Sequence, residues 1–336
     1  GDQGSDTFNV GTSVGVGKPS LNDIKGSKGK GPLVIRGDGL IGDGIAEPLE
    51  SDRDTLNVDD SGDVLENIGE MTENRITGLG MTVGIKYETI NRVNVKLGTQ
   101  KDEFTVTQTG AELTTINAGA GNDVITVTAI ANPIIVNGND GDDTLDASTI
   151  TSTMIMGGGS GNDHIIGGSA SDQLRGDSTF TVTNTTFALT DGKGAGSDGK
   201  VTFTTDATPG NDTLEGGDGQ DWIFGEAGND TIFGGRSIDQ SDTTDFIFGG
   251  AGNDNITGDN AIANQGSDDF IFGDNGTLTI QDGTEFAITG DPSTGTLIFF
   301  SNAAKVTQAT GQPGSNEGTD TIQGGVGNDT VFGGGA

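Results

Sequence analysis

Large apolar side chains rarely cluster in this sequence; most stand alone in a short polar run, two places after an aspartate and a few places after a pair of glycines. The unit is a nonapeptide carrying G-x-G-x-D-x-U-x, where U is a large apolar residue. Full or near-full copies are GDQGSDTFN (1–9), AGAGNDVIT (118–126), GNDGDDTLD (138–146), GGSGNDHII (158–166), GGDGQDWIF (216–224), GEAGNDTIF (225–233), GGAGNDNIT (249–257) and GGVGNDTVF (324–332). Degenerate copies contain Asp54, Asp102, Asp172, Asp212, Asp245, Asp269 and Asp320. Successive side chains of a strand point to opposite faces, so each U residue turns inward while its neighbours turn out. This predicts a core one residue wide: Phe8, Leu56, Phe104, Ile125, Leu145, Ile165, Leu174, Leu214, Ile223, Ile232, Ile247, Ile256, Ile271, Ile322 and Val331. No segment sustains a 3.6-residue apolar period with caps, so almost no helix is expected.

The spacing of the aspartates sets out how the repeats stack. Asp6, Asp54 and Asp102 are 48 residues apart in the similar contexts DTFNV, DTLNV and DEFTV, which reads as a tandem module over 1–117. The steps then shorten to 21, 20 and 20 through Asp123, Asp143 and Asp163, one glycine turn and one return loop per coil over 118–175. From 207 to 275 the ninth positions Phe224, Phe233, Phe248, Thr257 and Phe272 alternate steps of 9 and 15, or 24 residues per coil. Residues 216–224, 240–248 and 264–272 should therefore lie above one another on one sheet, with 225–233 and 249–257 on the other. Two Thr-rich stretches, 176–206 and 276–314, each follow a Gly-Asp pair and return to a repeat; they are expected to be inserted β-hairpins, with the roll resuming at 315–336. The fold class is all-β: a parallel β-roll or β-solenoid with inserted hairpins.

Composition changes the picture from thin core to ion-filled core. Hydrophobic residues are 30% of the chain, glycines number 61, and 50 acidic against 16 basic residues give a formal charge of −34. A polyanion of this kind repels nucleic acid and anionic membrane, leaving cations as the natural counter-charge. With no cysteine and one histidine, only oxygen ligands remain. No run is apolar enough to span a membrane, and no signal segment opens the chain. The sequence starts and stops inside repeats, which reads as a fragment of something longer.

Calcium takes six to eight oxygens at about 2.3–2.6 Å, more than one turn can supply, so each ion is expected between turns of adjacent coils. Glycine frees the turn to aim carbonyl oxygens inward and the aspartate adds a carboxylate. The candidate ligand turns carry Asp6, Asp123, Asp143, Asp163, Asp172, Asp212, Asp221, Asp230, Asp254, Asp269, Asp320 and Asp329. Their glycines are Gly119, Gly121, Gly141, Gly159, Gly161, Gly217, Gly219, Gly228, Gly250, Gly252, Gly325 and Gly327. About ten calcium ions would cancel much of the negative charge.

The repeat resembles the repeats-in-toxin (RTX) family of parallel β-rolls over 118–175, 207–275 and 315–336. That resemblance implies calcium in the glycine-aspartate turns and export by type I secretion, hence an extracellular or cell-surface location. Residues 1–117 and the inserts resemble linking modules of very large bacterial and cyanobacterial RTX surface proteins (TLNVDDSGD, FGDNGTLT). Ala170, Thr243, Ser267, Arg53 and Gln100 replace the family's glycine two places before the aspartate.

Neither G-x-S-x-G nor H-E-x-x-H occurs, and the strong aspartate clusters fall on turns, so no enzyme is expected. His164 sits at a variable repeat position and is expected to face solvent. Trp222, Phe224, Phe246, Phe248, Phe270 and Phe272 flank inward isoleucines and should form an outward aromatic stripe. Either an insert folds over it or it is an assembly surface for a neighbouring chain or module. Self-association, or contact with further repeats of a longer chain, is the expected partnership, with a cell-surface glycan as another candidate. The function expected is a calcium-stabilised structural component of an extracellular filament, sheath or surface layer. A spacer in a large adhesin and the calcium-binding region of a secreted enzyme are the alternatives.

Overall fold

The computed structural model describes residues 6–11, 31–37, 54–183, 189–190, 193–194, 200–205, 208–235, 244–259, 268–280, 285–288, 294–296, 306–312, 319–324 and 328–333. Among them there is no helix, and the chain winds between an 11-stranded and a 12-stranded sheet. The pairings of the 11-stranded sheet are parallel, as successive coils of a solenoid require. Among the described residues no helix is long and apolar enough to cross a membrane.

Register follows the repeat. Trp222 pairs with Phe246 and Phe246 with Phe270 on the 11-stranded sheet, while Thr231 pairs with Asn255 on the 12-stranded one. The 20-residue coils stack Ile125 on Leu145 and Leu145 on Ile165. Phe8 stacks on Leu56 at the 48-residue step. The second 48-residue step does not stack: Leu56 pairs with Val93, and Phe104 lies on the opposite sheet beside Gly69 and Ile125. An antiparallel meander, Ile68–Thr72, Arg75–Gly78 and Ile85–Glu88, occupies the 12-stranded sheet between them and shifts the phase. Asn91 supplies the oxygen that an aspartate would, its Oδ1 accepting the Asp54 N–H at 2.9 Å. The 48-residue module over 1–117 is thus one stacked step followed by a shorter one.

The core also differs in width along the roll. Through residue 156 many strands bury two apolar side chains, as in Leu56 with Val58, Val93 with Val95, Phe104 with Val106 and Ile125 with Val127. From Ile165 onward each strand contributes one to this cluster. Phe8 and Ile322 are only partly buried and Val331 is exposed.

Both inserts contain the expected antiparallel pairs. Ser178–Thr183 pairs with Lys200–Thr205, and Asn275–Ile280 pairs with Glu285–Ile288 and Val306–Gln312. Thr294–Thr296 of the second insert pairs with Lys200–Thr205 of the first, so the two are joined. Phe180 and Phe203 pack on Ile135 and Ile155, the outer face of the 11-stranded sheet. On the same face the aromatic stripe is buried: Trp222, Phe224, Phe246, Phe248 and Phe272 are at most 7% exposed, with Phe270 and Phe332 packed against them. Their rings stack coil on coil at centroid distances between 4.4 Å (Trp222 on Phe246) and 5.4 Å (Phe246 on Phe270). The stripe is therefore interior to this molecule and is not a free assembly surface.

Candidate metal centre

Each turn aspartate is tied to the next coil by one carboxylate oxygen. Along the edge of the 12-stranded sheet the Asp102 N–H donates to Asp123 Oδ1 (2.6 Å), Asp123 to Asp143 (2.7 Å), Asp143 to Asp163 (2.8 Å) and Asp163 to Asp212 (2.8 Å). The row continues through Asp230, Asp254 and Asp320. A second row on the opposite edge starts where the Met154 N–H donates to Asp172 and runs through Asp221, Asp245, Asp269 and Asp329. Before Met154 that edge carries Ile134 and Thr114 in the corresponding register, both buried. A third ladder runs outside the first in the opposite direction: the N–H groups of Asp142, Asn162, Asn211, Asn229 and Asn253 each donate to the preceding coil's side-chain oxygen.

The second oxygen of these aspartates is what distinguishes a metal site from a turn. Oδ2 of Asp123, Asp143, Asp163, Asp212, Asp230, Asp254 and Asp320 is buried with no hydrogen-bond donor. A buried carboxylate oxygen without a donor is costly, and a cation is its natural partner. The glycines make room for it. A Cβ on Gly138 would lie 2.3 Å from Asp143 Oδ2 and 2.5 Å from the Gly158 carbonyl oxygen, and one on Gly141 would lie 2.0 Å from the Gly121 carbonyl oxygen. Gly141 also has φ +131°, which residues with a Cβ resist. Among the described residues no three acidic or histidine side chains converge, so backbone carbonyls must supply most of an ion's oxygens. That donor set, carboxylate plus carbonyl, is the chemistry of calcium, and the residues present fit it.

Burial is the main reason the row is held partly protonated without a cation. Desolvation lifts Asp123 and Asp163 to about 8, Asp143 and Asp254 to about 7, and Asp212 and Asp230 to about 9. The ladder N–H pulls each down, and neighbouring carboxylates, including Asp177 beside Asp163, Asp212 and Asp230, push up again.

The sequence-predicted residues fall into groups. Asp123, Asp143, Asp163, Asp212, Asp230, Asp254 and Asp320 share one row; Asp172, Asp221, Asp269 and Asp329 share the other. Asp6 bonds the N-terminal coil to Asp54, its N–H donating to Asp54 Oδ1 at 2.9 Å. Gly119, Gly121, Gly141, Gly159, Gly161, Gly217, Gly219, Gly228, Gly250 and Gly252 all have φ between +107° and +150°. Gly325 and Gly327 lie outside the described residues. Asp172 departs from its row-mates: its Oδ2 accepts the Gly168 N–H at 2.6 Å, as Asp102 Oδ2 accepts the Gly98 N–H at 2.8 Å. Those turns, where Ala170 and Gln100 replace a glycine, are closed by their own backbone. The first glycine of the repeat (Gly138, Gly158, Gly216, Gly225, Gly249, Gly324), which touches the carboxylate, was not among the predicted residues, although its recurrence five places before the aspartate was visible. Asp177 was also not among them; it is buried, and it accepts the Gly210 and Ala227 N–H groups where the first insert leaves the roll. His164 is half-exposed and meets Glu215 at 3.1 Å.

The family model for the RTX calcium-binding nonapeptide repeat (4 copies) matches residues 114–127, 135–149, 157–178, 206–240, 241–261 and 315–336. These segments contain both aspartate rows from Asp123 onward, except Asp269. No curated protein matches the chain.

Proposed function

The chain carries RTX calcium-binding nonapeptide repeats, and from that premise we propose that it is a secreted structural segment, exported by type I secretion and folded by calcium outside the cell. Its role on this reading is to form a stiff element of an extracellular filament, sheath or surface layer. The observation that carries the reading is the row of buried, donor-less Oδ2 atoms from Asp123 to Asp320. Every rung of that row is hydrogen-bonded to the next, so an ion at one turn braces its neighbours. With extracellular-type affinities of about 0.1–1 mM and calcium near 10 mM, each filled site adds about 1.4–2.7 kcal/mol. In a calcium-poor cytosol that contribution disappears and the carboxylates repel one another. A rod of eleven strands spaced by about 4.8 Å is roughly 50 Å long, a suitable unit for building extended surface structures.

The test is circular dichroism and small-angle scattering of the chain with calcium and with chelator. The expected result is a β-rich rod with calcium and an expanded chain without it. An unchanged β-signal after complete calcium removal overturns the folding switch. Electron microscopy of calcium-loaded protein at high concentration then reads assembly: filaments or sheets support the structural role, and dispersed single particles count against self-assembly.

A further inference from the structure

The first insert leaves the roll from inside an aspartate turn. In a continuous turn the first glycine stands five places before the aspartate whose Oδ2 it touches: a Cβ on Gly138, Gly158, Gly225 or Gly249 would meet Oδ2 of Asp143, Asp163, Asp230 or Asp254. Gly176 stands in the same relation to Asp212 and to the Gly225 carbonyl of the next coil, although residues 177–211 lie between it and that aspartate. Gly176 is therefore the first and Gly210 the fourth residue of one nonapeptide. The insert takes out the peptide groups between its second and fourth positions.

A break there removes hydrogen bonds from the stack. In continuous turns the fourth-position N–H donates to the third-position carbonyl of the next coil: Gly121 to Asp140 (2.9 Å), Gly141 to Ser160 (2.7 Å) and Gly228 to Ala251 (2.8 Å). Strand pairing runs through the second and third positions as well, Asn139 with Gly159 and Asp140 with Ser160. At the broken turn, pairing with the next coil ends at Arg175 and Phe224. Asp177, at the second position, supplies acceptors in place of the lost peptide. Its Oδ1 accepts the fourth-position N–H, that of Gly210, at 2.7 Å, and its Oδ2 accepts the third-position N–H of the next coil, that of Ala227, at 2.8 Å. The residue is buried, where an N–H without an acceptor is costly. Among the described continuous turns none has aspartate at this position; Gly119, Asn139, Gly159, Gly217, Glu226 and Gly250 occupy it. Aspartate returns at two other interruptions, Gly258-Asp259 before Asp269 and Gly273-Asp274 before Asp320. There both second-position aspartates are buried and both glycines abut the later carboxylate. Gly234, before Asp245, is followed by Gly235 instead.

We infer that Asp177 is a positioning residue of the calcium row, an inference that rests on calcium filling that row. Its two oxygens each hold an N–H, so it acts on an ion through Asp212 and not as a ligand. By fixing Gly210 it keeps Asp212 in line between Asp163, whose N–H donates to Asp212 Oδ1 at 2.8 Å, and Asp230, whose Oδ1 accepts the Asp212 N–H at 2.9 Å. A domain-sized excursion can then leave the roll within a turn without removing that turn from the row. The carboxylate suits the task because it offers two acceptor oxygens from one short side chain, where glycine or asparagine offers none or one.

Asp177→Ala and Asp177→Asn in the full chain test this, with Asp146→Ala, an aspartate outside both rows, as the comparison. Equilibrium dialysis at saturating calcium counts the ions, and hydrogen exchange read by mass spectrometry follows the peptides holding Gly210 and Ala227. Asp177→Ala is expected to bind one ion fewer than the wild type, with its β-signal kept and those two peptides exchanging about ten-fold faster. Asp177→Asn, with one oxygen left, is expected to protect one of the two peptides and to fall between the wild type and Asp177→Ala; it carries the test alone if the alanine variant does not fold. Asp146→Ala is expected to match the wild type in both readouts. Faster exchange with an unchanged ion count would mean that Asp177 only braces the insert, and overturns the inference. Unchanged exchange in both variants overturns it too, as does an equal loss of calcium in Asp146→Ala. A wild-type chain that binds no calcium is a different failure, since it overturns the reading of the row itself.

Discussion

Asp143 and Asp172 occupy the same position of the same repeat, yet one contact separates them. Asp143 Oδ2 is buried without a donor, and Asp172 Oδ2 takes the Gly168 N–H. Asparagine keeps the Oδ1 acceptor of the ladder and removes the charge. Asp143→Asn is therefore expected to lower the number of calcium ions bound and the calcium-dependent rise in melting temperature, with Asp172→Asn leaving the calcium count unchanged; equilibrium dialysis and thermal melts read both. The same burial makes a prediction about pH. The folded-state values of about 7 to 9 for Asp123, Asp143, Asp163, Asp212, Asp230 and Asp254 stand above the unfolded value near 3.9. The folded state then holds more protons, so this contribution is complete below about pH 4 and is lost as pH rises through 7 to 9. In chelator the roll is expected to melt at higher temperature at pH 5 than at pH 9. Saturating calcium, which displaces those protons, should bind more tightly as pH rises over the same range. Melting temperatures in chelator that are flat or rising from pH 5 to 9 contradict this account.

At the scale of elements, the joint between roll and insert is a buried ion pair. Glu226 stands where the repeat normally has its second glycine, at φ +78°, and pairs with buried Arg175. Ser178 Oγ of the insert donates to Glu226 Oε1 at 2.8 Å. The Arg175 guanidinium lies 3.5 Å from the ring centre of Phe203, in the insert, and 4.1 Å from that of Phe224, in the roll. Removing one member strands the other. Glu226→Gly relieves the left-handed backbone but leaves Arg175 buried and unpaired, and is expected to cost about 3–5 kcal/mol. The double variant Arg175→Met with Glu226→Gly should recover most of that loss, and a double-mutant cycle by denaturant unfolding measures the coupling. Equal stability of the two single variants to the wild type would refute the joint. None of this was legible in the sequence. Glu226 reads there as a repeat imperfection and Arg175 as a strand residue before an insert, because the two are 51 residues apart and meet only once the insert folds back. The coil register was legible wherever the Asp-x-U signature persists, as from Ile223 to Ile271. It was lost between Leu56 and Phe104, where Asn91 does the work of an aspartate and a hairpin shifts the phase. Even there NRVNV beside DTLNV carried the register that the aspartate count passed over.

Across the whole molecule, two means of stabilisation trade places along one continuous solenoid. Up to residue 156 the strands bury two apolar side chains each in many coils, and one edge carries Ile134 and Met154 where later coils carry aspartate. Fully burying each such side chain contributes about 1.5–3 kcal/mol. From Asp163 onward each strand contributes one apolar residue to the inner core, with the aromatic stripe buried on the outer face, and aspartate rows line both edges, so cations add about 1.4–2.7 kcal/mol per filled site. The two halves share sheets and hydrogen-bond ladders, but not the same dependence on calcium. Partial chelation should accordingly unfold the roll from its aspartate-lined part. Hydrogen exchange read by mass spectrometry is expected to show the strands of 208–259 losing protection first as free calcium falls, with Leu113–Ala120 and Ile134–Asp140 retaining theirs to lower calcium. Loss at a single calcium concentration throughout would mean that coupling along the ladders outweighs the difference in core width. Protection lost first in the two-residue core would mean that apolar burial there does not carry the stability assigned to it.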